Sequence, residues 1–267
     1  MRPDALSEAP TIIFEERDAL ALVRLNRADK RNALTGAMLE RLGEVFAEIA
    51  EGRERLRAVI LTGAGDEAFS AGTDINELAA LDAEGAHRAA RRGQQLCDRI
   101  EQCGVPVIAA VNGLAAGGGC ELALACHIRI ASKTARFSLP ETRLGVIPGY
   151  GGTQRTPRAI GSGRALEMML TGRSVSAEEA LRIGLVNRVT DPAQLLGEAE
   201  SLAREISGLA PLAIRACLQA VIRGQVLPLE EGLALEAELF SSLFATEDVR
   251  EGTSAFLEKR APVFKGR

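Results

Sequence analysis

Apolar residues change period several times along this chain, and each change marks an element. Residues 11–25, TIIFEERDALALVRL, hold two β-rich runs around Arg17-Asp18, and the second alternates Leu20, Leu22 and Arg24 against Ala21, Val23 and Leu25. That alternation predicts a hairpin. From Thr35 to Glu51 the apolar positions Met38, Leu39, Leu42, Val45, Phe46 and Ile49 recur at helical spacing, which predicts an amphipathic helix with one core-facing stripe. A compact strand, Ala58 to Thr62, stops at the turn-rich cluster Gly63-Ala64-Gly65-Asp66. The next strand, Val105 to Val111, is apolar without interruption, as a strand covered on both faces should be.

Beyond Val111 a turn at Asn112-Gly113 leads to Gly117-Gly118-Gly119 and then CELALAC, in which Leu122 and Ala125 face the core of a new helix. The glycine run therefore sits at a helix N-terminus. Ser176-Ala177-Glu178-Glu179 is a capping box opening a helix to Ile183, with Gly184 as its stop. From about Pro192 the pattern is nearly all helical, punctuated by Pro211 and Pro228. Strands alternating with helices imply crossover connections and an α/β core with some parallel pairing. The shift to helix divides the chain into a core over residues 1–199 and a helical subdomain over 200–267. No tandem repeat of fixed period and no low-complexity tract is present.

Composition narrows the function classes. With 46% hydrophobic and 25% charged residues in 267, the chain has the proportions of an ordinary globular protein. Aromatics at 3% with no Trp disfavour stacking platforms for bases or sugars, and a net charge of −4 gives no general pull towards nucleic acid. Five cysteines without a Cys-x-x-Cys pair and only two histidines, His87 and His127, predict no metal site, no disulfides and a reducing cytoplasm. Met1-Arg2-Pro3-Asp4 lacks the apolar stretch of a secretory signal. The uncharged run Gln102 to Cys120 is broken by Pro106, Asn112 and several glycines, which fits a buried strand and turn better than a membrane span.

Candidate chemistry gathers in three segments. In GLAAGGGCELALAC, residues 113–126, successive glycines allow close backbone approach, and free N–H groups at a helix start favour an oxyanion; tight packing of helix on sheet is the plainer alternative. Glu121 lies just inside that helix, as a functional carboxylate or simply one favoured by the helix dipole. A second acid, Glu141, follows Pro140 in the loop-like FSLPETRLGVIPGYGGTQR, and two carboxylates in one pocket could divide acid and base roles around a water. In AFSAGTDI, residues 68–75, the Ser70-Ala71-Gly72 backbone could supply another N–H donor, or form a plain turn. Gly149-Tyr150-Gly151-Gly152 lacks the full dinucleotide spacing. Cys120 and His127, on one predicted helix, fit small core residues better than a thiol nucleophile and base, and Arg88, Arg91 and Arg92 read as a solvated face.

Taken together, FSAGTDI, AAVNGLAAGGGCELALAC, FSLPETRLGVIPGYGGTQR, GLVNRV and AFLEKRAPVFKGR resemble the enoyl-CoA hydratase/isomerase, or crotonase, superfamily in the right order over nearly the whole chain. The resemblance implies an α/β spiral of ββα turns with a helical C-terminal trimerisation region, assembled as a trimer and often a dimer of trimers. It implies an acyl-CoA thioester substrate and no cofactor, coenzyme A being part of the substrate. By position it assigns Glu121 and Glu141 as the catalytic pair, with Glu121 activating water and Glu141 delivering a proton. The N–H groups of Ala71 and Gly118 become the oxyanion hole. Along the substrate it places Lys30 and Arg31, the run Ser70, Ala71, Gly72, Thr73, Asp74 and Ile75, then Leu114, Gly117, Gly118, Pro140, Glu141 and Gly149. Phe256 and Lys259 match positions that reach the nucleotide portion in family trimers. Two departures stand out. His127 occupies a position where many relatives are acidic, and Tyr150 replaces a small residue, either narrowing the acyl pocket or pointing outward. The leading expectation is a hydratase of 2-enoyl-CoA; double-bond isomerisation or another acyl-CoA lyase, and a non-catalytic trimeric binding protein, are the alternatives.

Overall fold

Asp18, in the left-handed region at φ 55°, turns β1 (Ile12–Arg17) back antiparallel onto β2 (Leu20–Leu25), the hairpin that the alternation predicts. The computed structural model describes residues 10–52 and 54–267. Thr35 caps α1 (Gly36–Glu51) by accepting from the Met38 N–H, and all six stripe residues of this helix are buried. Then follow β3 (Ala58–Gly63), β4 (Ala68–Ser70), α2 (Ile75–Ala79) and α3 (Ala83–Gln102). The next stretch gives β5 (Val107–Val111), β6 (Leu114–Ala116), α4 (Gly118–Ala125), β7 (Ile128–Ser132) and β8 (Arg136–Ser138). After it come α5 (Gly152–Ile160), α6 (Ser162–Thr171), β9 (Val175–Ser176), α7 (Ala177–Arg182), β10 (Arg188–Thr190) and α8 (Leu195–Ser207). The chain closes with α9 (Pro211–Gly224), α10 (Leu229–Leu243) and α11 (Glu247–Glu258).

Two sheets organise these elements. The larger runs β1-β2-β3-β5-β7-β10 and is parallel after the first hairpin; the smaller runs β4-β6-β8-β9. Each of the pairs β3/β4, β5/β6 and β7/β8 gives its first strand to the large sheet and its second to the small one. The chain thus winds as a spiral whose repeat is structural and leaves no period in the sequence. Alternate residues of β3 serve two cores. Val59 and Leu61 pack inward with α1, α3 and α4, while Ala58 and Ile60 meet Leu195, Ala199, Leu202 and Ala203 of α8 on the outer face. Residue 200 therefore falls inside a helix that belongs to the sheet's own packing. Helices α9 and α10 leave that core and contain no buried residue. Among the described residues, no single helix is long and apolar enough to cross a membrane.

Candidate active site

The spiral brings the end of β4 against the start of α4. At Gly72 (φ 93°) an added Cβ would stand 2.7 Å from the Ala116 carbonyl oxygen and 3.3 Å from the Gly118 nitrogen. The three glycines of the run have separate reasons to be glycine. Gly117 takes φ 51° and ψ −127° as the N-cap, and a Cβ there would lie 3.0 Å from Glu141 Oε1; a Cβ on Gly118 would strike the Tyr150 ring at 2.8 Å; one on Gly119 would strike the Ser70 carbonyl at 2.4 Å. Gly119 thus serves packing alone, while Gly117 and Gly118 also line the cavity.

The backbone donors correct one expectation. The Ala71 N–H donates to the Arg31 carbonyl at 2.9 Å and the Gly72 N–H to Ser70 Oγ at 3.1 Å, so neither is free for a ligand. Leu34 bonds the chain on either side of Thr73, donating to the Gly72 carbonyl and accepting from the Asp74 N–H. This leaves the Thr73 N–H turned to the opposite side, without an acceptor among the described residues. Gly118 opens α4, and the first N–H groups of a helix have no partner within it. The free pair is Thr73 and Gly118, with Ala71 displaced by two positions because its N–H is used to fasten the Arg31 loop.

Glu121 is buried, and its carboxylate turns away from the start of its own helix. Its Oε1 accepts from the N–H of Tyr150 at 2.8 Å and of Gly152 at 2.6 Å, the latter the first residue of α5. Burial, with a smaller contribution from the Glu141 charge, lifts its pKa to about 7 against the pull of those two N–H groups. Glu141 lies in a short 3-10 turn, Glu141–Leu144, held to α6 by Thr142 Oγ1 donating to the Met169 carbonyl at 2.7 Å. Burial raises its pKa as well, and its Oε2 is enclosed without a hydrogen-bond partner. Both acids line one cavity of about 880 Å³, together with Thr73, Gly118 and Tyr150. Two carboxyls with raised pKa values beside unpaired N–H groups suit proton transfer around a developing oxyanion.

The predicted substrate residues separate into groups. Ala71, Gly72, Thr73, Ile75, Gly117, Gly118, Pro140, Glu141 and Gly149 border the cavity. Ser70 and Asp74 are buried and structural. Ser70 Oγ donates to the Asn32 carbonyl, and Asp74 pairs with Arg27 at 2.7 Å while capping α2. Arg31 and Leu114 line a different, shallow depression, and Arg31 pairs with Glu67; Lys30 ends the short turn before it. Phe256, 83% exposed, and Lys259, at the α11 C-cap, stand outside this chain's own cavity. His127 has left α4, whose last residue is Ala125, because its N–H already pairs with the Val107 carbonyl as β7 begins. Its Nδ1 accepts from the Val107 N–H and its Nε2 faces the Glu101 carbonyl, a neutral ring tying β5 to α3, with its pKa lowered by burial. Burial pushes the Cys120 thiol far above its usual range, which ends the thiol-nucleophile reading.

The residues that fasten Glu121's anchors escaped the sequence reading. Gln94 donates to the Gly149 carbonyl, and Arg155 reaches the Tyr150 carbonyl while pairing with Asp98 and Glu101 of α3. The loop itself is signalled by Gly149-Tyr150-Gly151-Gly152 and by the motif FSLPETRLGVIPGYGGTQR, but its partners on α3 are not.

Comparison with known proteins agrees with this geometry. A sequence profile described as enoyl-CoA hydratase/isomerase matches residues 15–267. The short-chain-enoyl-CoA hydratase of Clostridium acetobutylicum is 44% identical over 253 residues, covering 95% of this chain and 97% of that protein. The crotonyl-CoA hydratase of Syntrophomonas wolfei is 41% identical with the same coverage. The crystal structure of an enoyl-CoA hydratase from Bacillus anthracis superposes with a TM-score of 0.93 at 41% identity, covering 97% of this chain and all of that one.

Proposed function

Because the chain belongs to the enoyl-CoA hydratase/isomerase family, we propose that it adds water reversibly across the 2,3 double bond of a 2-enoyl-CoA thioester. The observation that carries this reading is the meeting of Glu121 and Glu141 in one cavity with the free N–H groups of Thr73 and Gly118. The thioester oxygen accepts from those two N–H groups, which stabilise it as it becomes enolate-like. Glu121, unprotonated and fixed by Tyr150 and Gly152, takes a proton from water as the water oxygen bonds to C3. Glu141, protonated, gives its proton to C2. The two carboxyls end with exchanged protonation, and dehydration runs the same steps backwards. Coenzyme A arrives with the substrate, and this chemistry needs no further cofactor.

The same reading includes a homotrimer or a dimer of trimers built through the C-terminal helices. Large apolar side chains exposed on α9 to α11, Val221, Leu229, Leu233, Phe240, Phe244 and Leu257, support it. A reducing cytoplasm is part of it, supported by five unpaired cysteines, of which Cys217 alone is exposed.

The test is hydration of crotonyl-CoA, followed by loss of the conjugated thioester absorbance. Glu121→Gln and Glu141→Gln are each expected to lower kcat by roughly 100-fold or more, in keeping with removal of a general acid or base. Full activity in either variant refutes the role given to that residue.

A further inference from the structure

The Tyr150 ring is only 7% exposed and is wedged between glycines of two helices. A Cβ on Gly93 of α3 would stand 2.0 Å from its Cδ1, and one on Gly118 of α4 would stand 2.8 Å from its Cε2. Its hydroxyl accepts from Thr73 Oγ1 at 3.0 Å, while its backbone N–H holds Glu121. The side chain thus spans from the loop that anchors the carboxylate to the strand end that carries a free N–H. Glycine weakens a helix interior, and Gly93 has an evident reason to be there, since any side chain would occupy the volume of this ring.

Resting on the hydratase reading, we propose that Tyr150, seated in the notch left by Gly93, is the wall that ends the acyl pocket and confines the enzyme to short 2-enoyl chains. A thioester whose oxygen lies at Thr73 and Gly118 brings its reacting carbons beside this ring, which packs on Gly118, is hydrogen-bonded to Thr73 and lines the same cavity as both glutamates. Shape sets the limit, and the hydroxyl contributes only the bond to Thr73.

The measurement is the ratio of kcat/KM for trans-2-octenoyl-CoA to that for crotonyl-CoA. The wild type is expected to favour crotonyl-CoA. Tyr150→Ala keeps the backbone N–H to Glu121 and is expected to raise the ratio by about tenfold or more, because each additional buried methylene is worth roughly fourfold in affinity. Tyr150→Phe keeps the ring and leaves the ratio within about twofold of wild type on the same bookkeeping. If Tyr150→Ala folds poorly, Tyr150→Met serves the same purpose with a smaller void. Thermal melts supply a readout independent of turnover. Gly93→Ala lowers the Tm in the wild-type background and lowers it less beside Tyr150→Ala, since the shortened side chain frees the notch. A wild type that hydrates crotonyl-CoA while Tyr150→Ala and Tyr150→Met leave the ratio unmoved overturns the wall but spares the hydratase reading. A ratio that rises equally in Tyr150→Phe also overturns it, in favour of the hydroxyl. A wild type that turns over neither thioester sinks the hydratase reading and this inference together.

Discussion

Glu121 concentrates the opposition between folding and chemistry. Its pKa rises to about 7 mainly through burial, so the folded state favours the protonated carboxyl. A carboxyl with a raised pKa contributes stability that is fully present below its unfolded value of 4.5 and is lost as pH climbs through about 7. Glu121→Gln removes that titration while retaining an oxygen for the Tyr150 and Gly152 N–H groups. The stability of the wild type relative to Glu121→Gln is therefore expected to fall by ~3 kcal/mol between pH 4.5 and pH 8. Urea unfolding of both proteins across that range checks it, and a constant gap would falsify the buried titration. Activity has the opposite slope: kcat/KM for crotonyl-CoA should decline below about pH 7 as the base becomes protonated. At this scale Glu121 and Glu141 were legible because acids in weakly charged, glycine-flanked stretches need a reason. Thr73 as donor was not, since a free N–H depends on which neighbours Leu34 engages across the bridge.

Among the elements, the segment from β4 into α2 shows how a ligand-facing backbone is fixed. Asp74 caps α2 through the Asn76 N–H and pairs with Arg27, whose guanidinium also donates to the Ala33 carbonyl. The Arg27 hydrogen bond holds the Asp74 carboxyl below its ordinary pKa range. Asp74→Ala removes cap and partner together and is expected to lower stability by ~2 kcal/mol, read as a shift in denaturant midpoint. Because Thr73 is its neighbour, kcat for hydration should fall in the same variant without a change in the pH profile set by Glu121. The Ser176 cap was readable from sequence, being a hydroxyl followed three residues on by Glu179 ahead of a helix, whereas the Thr35 cap stood only at the start of the α1 stripe. The strands β4, β6, β8, β9 and β10, two or three residues each, were not. Strands that short hold no period of their own and exist only through their pairing in the small sheet or at the edge of the large one.

For the whole molecule, α9 and α10 are the telling part, since neither contributes a residue to the core although both carry an apolar stripe. Leu229 is 79% exposed, and the edge-to-face pair Phe240 and Phe244 lies open, with ring centroids 5.2 Å apart. Replacing both phenylalanines by Ser is expected to lower the assembly mass in light scattering and to make the Tm depend more steeply on protein concentration, as follows when association stabilises the fold. An unchanged mass would remove these rings from the proposed subunit contact. Asp248 ties the C-terminal tail back to α11 by accepting from the Lys265 and Gly266 N–H groups, which keeps that end ordered within one chain. By itself the sequence determined what is local or carried by a quoted motif: the first hairpin, α1, the helix behind the glycine run, the two acids and the family they resemble. Tertiary structure alone decided which N–H groups are free, that Glu121 leans on the start of α5 instead of α4, and that Tyr150 turns inward between Gly93 and Gly118 at the cavity wall. Each of these depends on groups from segments tens of residues apart, where the partner is chosen by how the spiral closes and not by any neighbour along the chain.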